Sequence, residues 1–173
     1  MRNGRRFTTL LAFCAFLFAG VVLCAGNSQP TGFKVRGIQV ATIQSDEISV
    51  PAEFRVALYE NLVRQLEKQG FEHVYRDGDR NSADVPNLVI LHSTVRQFKP
   101  GSEKARQVTT VAGATSITVR CQFSDRDGHA LLEQDVTGKV RFFGGNLRAT
   151  YDFAKKASLI ASKKFLATDG KCL

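Results

Sequence analysis

The chain has 173 residues, of which 43% are hydrophobic, and a formal net charge of +8. This length supports one domain with a substantial core and leaves no room for a large multidomain enzyme. The charge surplus favours anionic partners without identifying one.

Residues 1–26 have the pattern of a secretory signal. Three arginines lie within the first six residues, residues 7–23 are mostly apolar, and the segment ends in the small residues Ala25 and Gly26. Cleavage after Gly26 is the favoured interpretation, and it lowers the net charge by three, to +5. The chain is therefore predicted to be exported to the periplasm or outer envelope, where nucleic acid is not an expected partner.

Two other fates of this segment stay open, and both would associate the protein with the membrane. The apolar run reaches the lower length limit of a membrane-spanning helix, so it could be retained as an anchor. Lipidation at Cys24 is the second alternative, although Leu23 stands where lipoprotein processing requires a small residue.

The remaining cysteines, Cys121 and Cys172, would meet an oxidising compartment after export. They could form a disulfide, and Cys121 could equally be a small buried apolar residue.

After a flexible leader at residues 27–32, residues 33–173 are predicted to form a single α+β domain. The pattern predicts a mixed or antiparallel β-sheet with two helices packed on one face, in the order β-α-β-β-β-β-α. The strands are expected at 33–43, 71–75, 87–98, 115–124 and 130–143.

The first helix is predicted from an apolar residue at every fourth position between Phe54 and Leu66, with Ser49 as its cap and Pro51 in its first turn. The second helix is predicted to be capped by Asn146. Its expected buried stripe consists of Leu147, Tyr151, Ala154, Ala157, Ser158, Ala161 and Phe165.

The chain carries no recognisable catalytic motif. Its three histidines, His73, His92 and His129, lie far apart in sequence. Residues 77–84 have the oxygen spacing that begins a calcium loop but lack the glycine and glutamate that complete one, so a solvated turn is expected. No catalytic residue, metal or cofactor is predicted.

Basic residues gather around the long polar segment that follows the third predicted strand and on the solvent-facing side of the strands beyond it. The candidate site for an anion or partner consists of Arg96, Lys99, Lys104, Arg106, Arg120, Lys139 and Arg141. The alternative interpretation is a solvated surface with no ligand.

Three stretches in a fixed order carry a family resemblance: residues 98–106, residues 112–119 and residues 123–131. Together with the Phe143-Gly-Gly sequence before the last helix, they resemble small exported bacterial proteins catalogued as domain of unknown function 4410. This resemblance spans residues 38–165 and implies an envelope protein, often lipoprotein-like, with no assigned reaction.

The leading functional prediction is a non-enzymatic module of the bacterial cell envelope that binds or assembles with another component. The expected partner is an envelope protein or an anionic lipid or glycan surface. A small hydrolase or metal-dependent enzyme and a carrier of a small ligand are the alternatives.

Overall fold

The computed structural model describes residues 35–46, 48–102, 104–105, 113–140 and 145–166. The elements are β1 Gly37–Val40, β2 Gln44–Ser45, α1 Ala52–Lys68, β3 His73–Arg76, β4 Leu88–Lys99, β5 Thr115–Ser124, β6 Ala130–Val140 and α2 Arg148–Phe165. The predicted α+β class and the order of the elements are confirmed, with the two-residue strand β2 as an addition.

The sheet is mixed, with the strand order β3-β1-β4-β5-β6. β1 runs parallel to both β3 and β4, and the short β2 pairs with β4 as well. β4, β5 and β6 are antiparallel to one another, with a bulge between Val95 and Gln97. Parallel neighbours need a crossover connection, and α1 provides it between β1 and β3.

α1 forms where its apolar spacing predicted. Phe54, Leu58, Leu62 and Leu66 are all buried, because residues four apart share one face of a helix. The predicted cap at Ser49 is wrong: Pro51 is the capping residue, no side chain caps the helix, and the Pro51 carbonyl accepts hydrogen bonds from the next turn. The helix ends before Gly70, whose φ of 89° is the left-handed conformation that suits glycine.

α2 buries a stripe composed mainly of small residues. The buried positions are Ala149, Thr150, Phe153, Ala154, Ala157, Ser158, Ala161 and Phe165. The prediction that Leu147 and Tyr151 belong to this stripe is wrong, since they are 41% and 47% exposed. Leu147 precedes the helix as its capping residue. The first turns of the helix bury Ala149, Thr150 and Phe153 instead.

Gly138 of β6 is the point of closest approach between α2 and the sheet. A Cβ atom at this position would lie 2.1 Å from the Ala149 carbonyl oxygen and 2.6 Å from the Phe153 Cβ. Only glycine therefore allows the helix to rest against the strand at this separation.

The two helices meet along a polar seam on α1. The Asn61 amide donates to the Thr150 hydroxyl at 2.9 Å, and the Ser162 hydroxyl donates to the Gln69 side chain at 3.4 Å. Gln65 lies between them in sequence and is buried, with its amide nitrogen making no hydrogen bond to the described residues. These contacts fix α1 and α2 side by side over one face of the sheet.

The core lies between this helix layer and the sheet. Ile38, Val89, Leu91, Val119 and Phe123 are among the fully buried side chains that the strands contribute to it. Both α1 and α2 lie on this side of the sheet, and the polar residues of β4, β5 and β6 gather on the opposite side.

Candidate binding face

The strand register places twelve polar side chains on the side of β4, β5 and β6 that faces away from the helices. This open face consists of His92, Thr94, Gln97, Lys99, Ser116, Thr118, Arg120, Gln122, Glu133, Asp135, Thr137 and Lys139. Each alternates with residues that face the core, because successive side chains of a strand point to opposite faces.

Arg120 lies at the centre of an ion-pair network on the open face. Its Nε donates to the Asp135 carboxylate at 3.0 Å, and its Nη1 lies 3.3 Å from the Glu133 carboxylate. Hydrogen bonding to the Arg120 guanidinium lowers the pKa of Asp135, so this carboxylate is charged at neutral pH. The positive charge of Arg120 is therefore compensated within the sheet.

Arg96 is compensated in the same way. It projects from the bulge of β4 and forms an ion pair with Asp46, directly after β2. Two arginines of the predicted basic cluster thus contact carboxylates, and the surplus positive charge of the open face belongs to its lysines.

Lys99 and Lys139 lie in one row across the sheet. Ser116 of β5 is the register partner of Lys99 on one side and of Lys139 on the other. Neighbouring strands are about 4.8 Å apart, so the two lysine backbones are separated by roughly 10 Å. Both lysines are exposed, and this row of Lys99, Ser116 and Lys139 is called the lysine end below.

A buried polar contact holds the chain at the lysine end. The backbone N–H of Gly101 donates to the Thr115 hydroxyl at 3.1 Å, and that hydroxyl donates to the Asn146 side chain at 2.7 Å. The Asn146 amide also donates to the Gly101 carbonyl at 3.4 Å. Asn146 thus connects the end of β4 to the start of β5. The prediction that it caps α2 is wrong, because Leu147 is the capping residue.

Lys104 lies just beyond this contact, in the segment that leaves β4, and is exposed. Arg106 and Arg141, the other two members of the predicted cluster, lie outside the described residues. The structure therefore brings together Lys99 and Lys139, and separately Arg96 and Arg120 with their acidic partners.

A second concave feature lies beside the first half of α1. A cavity of about 330 Å³ is lined by Thr42, Ile43, Ala52, Arg55, Val56, Tyr59 and Glu60. Val56 at its rim is 61% exposed, while Glu60 is held by two hydrogen bonds from Arg76 of 2.6 and 2.8 Å. Sequence reasoning missed this cavity, because its walls come from α1 and from the segment after β1.

Three titratable groups meet at the turn between β5 and β6. Side-chain ligand atoms of Asp125, Asp127 and His129 lie within 4.8 Å of one another. The His129 ring is 2.9 Å from the Asp125 carboxylate, which also accepts a 2.8 Å hydrogen bond from the His129 backbone. These hydrogen bonds are those of a closed hairpin turn.

In the predicted solvated turn at residues 77–84, the carboxylates of Asp77 and Asp79 accept hydrogen bonds from the chain itself. Asp77 accepts hydrogen bonds from the backbone and hydroxyl of Thr42, and Asp79 accepts one from the Asn81 backbone at 3.0 Å. Asp79 thereby caps the short 3-10 helix at Arg80–Ser82.

Cys121 is buried on the core side of β5. Burial raises the pKa of its thiol to about 12, which the neighbouring Ser93 hydroxyl only partly offsets. That hydroxyl is itself buried and forms no hydrogen bond of normal geometry with the described residues. Cys172 lies outside the described residues, so its predicted bridge to Cys121 stays a prediction.

Comparison with solved structures gives the fold but no function. The sequence matches no protein-family model and no curated protein. The dodecamer-forming PelC of Paraburkholderia phytofirmans has the same fold, with a TM-score of 0.54 and 14% identity over 70% of this chain and 85% of PelC. A single-residue variant of PelC, also a dodecamer, gives a TM-score of 0.53 and 14% identity over 74% and 89%.

A more distant structure is described as a "putative lipoprotein" from Caulobacter crescentus. It has a TM-score of 0.43 and 15% identity over 75% of this chain and 94% of its own. Within the described part of this chain, no helix is long and apolar enough to cross a membrane.

Proposed function

We propose that this chain is an exported, non-enzymatic binding module of the bacterial cell envelope, as its resemblance to domain of unknown function 4410 implies. Its ligand is an anionic glycan, and the open face is the binding surface. The observation that carries this proposal is the row in which Lys99 and Lys139 flank Ser116.

The chemistry of the open face suits a hydrated polymer. Hydroxyl and amide side chains such as Thr118, Thr137 and Gln122 can exchange hydrogen bonds with sugar hydroxyls. The lysine end supplies the positive charge that attracts carboxylate groups. The large hydrophobic side chains that are exposed among the described residues, Val56, Leu147, Tyr151 and Leu159, lie elsewhere, so polar contacts dominate this face.

Self-assembly would strengthen such binding. PelC, which shares the fold, forms a dodecamer. We propose that this chain also associates with copies of itself, since each copy in an oligomer would add one lysine end and multivalent contact raises the overall avidity. Light scattering of the purified protein measures the oligomeric state directly, and a monomer at all concentrations contradicts this part of the proposal.

The test of glycan binding uses polygalacturonate, a soluble polymer of uronic acid, with dextran as the neutral control. The double variant Lys99→Glu/Lys139→Glu should bind polygalacturonate about tenfold more weakly, because two attractive contacts become repulsive. Binding of the unmodified chain should also weaken as salt rises, since the Debye length falls from about 10 Å at 0.1 M to about 3 Å at 1 M.

The matched control is Arg64→Glu/Lys68→Glu, which changes the net charge equally on exposed positions of α1. Equal weakening in both double variants would show that only net charge matters. Equal affinity for dextran and polygalacturonate would contradict the proposal outright.

The cavity beside α1 supports a second candidate function, the carriage of a small ligand. Its volume is at the lower end of the range for small-molecule sites, and Ile43, Ala52 and Val56 provide apolar walls. Arg55 is the exposed cation at the rim, so the ligand would combine an apolar body with one anionic group.

Anilinonaphthalene sulfonate has this chemistry and becomes fluorescent in apolar surroundings. If the cavity is a carrier site, Ala52→Phe should abolish its saturable binding by filling the space, and Arg55→Gln should weaken it. Arg64→Gln serves as the control. Unchanged binding in Ala52→Phe would exclude the cavity as the site.

A further inference from the structure

The exposed hydrophobic side chains of the described residues are concentrated on one helix. Four large hydrophobic residues are exposed, and three of them belong to α2 or its cap: Leu147 at 41%, Tyr151 at 47% and Leu159 at 39%. Leu147, Tyr151, Lys155, Leu159 and Lys163 follow one another at four-residue spacing, which makes them successive neighbours along the helix surface. Apolar and cationic side chains are thus interleaved on this surface.

The same helix carries the largest net positive charge among the described elements. Residues Arg148–Phe165 contain Arg148, Lys155, Lys156, Lys163, Lys164 and a single acidic residue, Asp152, for a net charge of +4. The adjacent α1 has no net charge, because its three basic residues are matched by three glutamates: Arg55, Arg64, Lys68 and Glu53, Glu60, Glu67.

The single carboxylate on α2 does not compensate its lysines. Asp152 binds Lys156 at 2.7 Å and accepts a 2.9 Å hydrogen bond from the Lys139 backbone. Lys155, Lys163 and Lys164 are exposed and form no ion pair with any described residue. Together with Tyr151 and Leu159, Lys155 and Lys163 are called the α2 outer face; Lys164 lies about 140° around the helix from Leu159 and is not part of it.

We infer that the α2 outer face docks on an anionic lipid bilayer. Tyrosine side chains are favoured at the boundary between lipid and water, and the leucine can enter the outer edge of the acyl region. Lysines close to an anionic membrane surface each contribute about 1 kcal/mol. No other described surface joins exposed hydrophobic side chains to a surplus of lysine.

This docking would set the orientation of the molecule. The open face lies on the side of the sheet opposite the helix layer, so it would point away from the bilayer and stay accessible to a soluble ligand. Docking itself depends only on α2 and does not require the proposed glycan binding.

The test measures binding of the full chain to phosphatidylcholine vesicles with and without phosphatidylglycerol. The difference between the two vesicle types is the readout, because the apolar residues 7–23 would bind both alike. Lys155→Gln/Lys163→Gln should reduce the anionic-vesicle component about 30-fold, as expected from two lysines near the surface.

The matched control removes the same number of charges from the open face, with Lys99→Gln/Lys139→Gln. It should leave vesicle binding within threefold of the unmodified chain while weakening polygalacturonate binding. If both double variants lose vesicle binding equally, or the α2 variant loses none, the docking proposal is overturned and the glycan proposal is unaffected.

Insertion can be followed separately, because the chain contains no tryptophan. The emission of Leu159→Trp should shift to shorter wavelength with phosphatidylglycerol vesicles, whereas that of Gln122→Trp on the open face should not. An unshifted Leu159→Trp, or equal shifts at both positions, contradicts docking through α2.

Discussion

The ionisable pair formed by Asp125 and His129 is the clearest electrostatic contact at a single turn. The side-chain hydrogen bond to Asp125 raises the pKa of His129 above its usual 6.5. For Asp125, partial burial would raise the pKa, but hydrogen bonds from His129 outweigh it and lower the pKa. Each group therefore shifts the other towards its charged form.

The stabilisation from this pair should have two pH limits. It falls as pH rises through the raised pKa of His129, and it falls as pH drops through the lowered pKa of Asp125. In Asp125→Asn the pKa of His129 should return towards 6.5, as measured by NMR titration of the ring protons. Asp127→Asn, which removes only a more distant charge, should change the pKa of His129 less. An unchanged His129 pKa in Asp125→Asn would show that the contact does not persist in solution.

For the basic residues, the sequence predicted which face of the sheet they lie on but not which acidic residues they contact. Alternation predicted that Arg120 and Lys139 face away from the core, and they do. It gave no weight to Glu133 and Asp135 on the same face, although the hairpin places Asp135 directly opposite Arg120. The partner of Arg96, Asp46, could not be anticipated, because it depends on the unpredicted strand β2.

Among the elements, α1 and β5 were predictable because their apolar residues repeat with one clean period. The helix caps were not predictable. Serine and asparagine are common capping residues, but whether Ser49 and Asn146 cap a helix depends on their tertiary contacts. The prediction of the buried stripe of α2 was partly wrong, because small residues are buried there while the larger Leu147 and Tyr151 are exposed. Gly138 lets α2 approach the sheet closely at Ala149 and Phe153, and most of the other buried positions of the helix are small residues.

Replacement of Gly138 by alanine tests this close packing. The added methyl group would overlap the Ala149 carbonyl, so the helix must move, and the free energy of unfolding should fall by about 2–3 kcal/mol. Urea denaturation monitored by circular dichroism measures the change. Thr137→Ala, at the adjacent position on the open face, is the control and should cost no more than about 1 kcal/mol. Equal stability of Gly138→Ala and the unmodified chain would mean that the contact is looser than described.

The whole molecule has two chemically different sides. The helix side presents leucine, tyrosine and uncompensated lysines on α2, whereas the open face presents hydroxyls, amides, ion pairs and the lysine end. We propose that the first side contacts a lipid bilayer and the second an anionic glycan. A protein attached to a membrane through its helices could thus hold a glycan on the side that faces away from it.

Lysine footprinting tests this two-sided account most directly. The full chain is acetylated with a limiting reagent, alone, with polygalacturonate or with phosphatidylglycerol vesicles, and the modification of each lysine is read by mass spectrometry. Polygalacturonate should protect Lys99 and Lys139 and leave Lys155 and Lys163 reactive, and the vesicles should give the reverse. Protection of the same lysines by both ligands, or of neither set, would contradict the account.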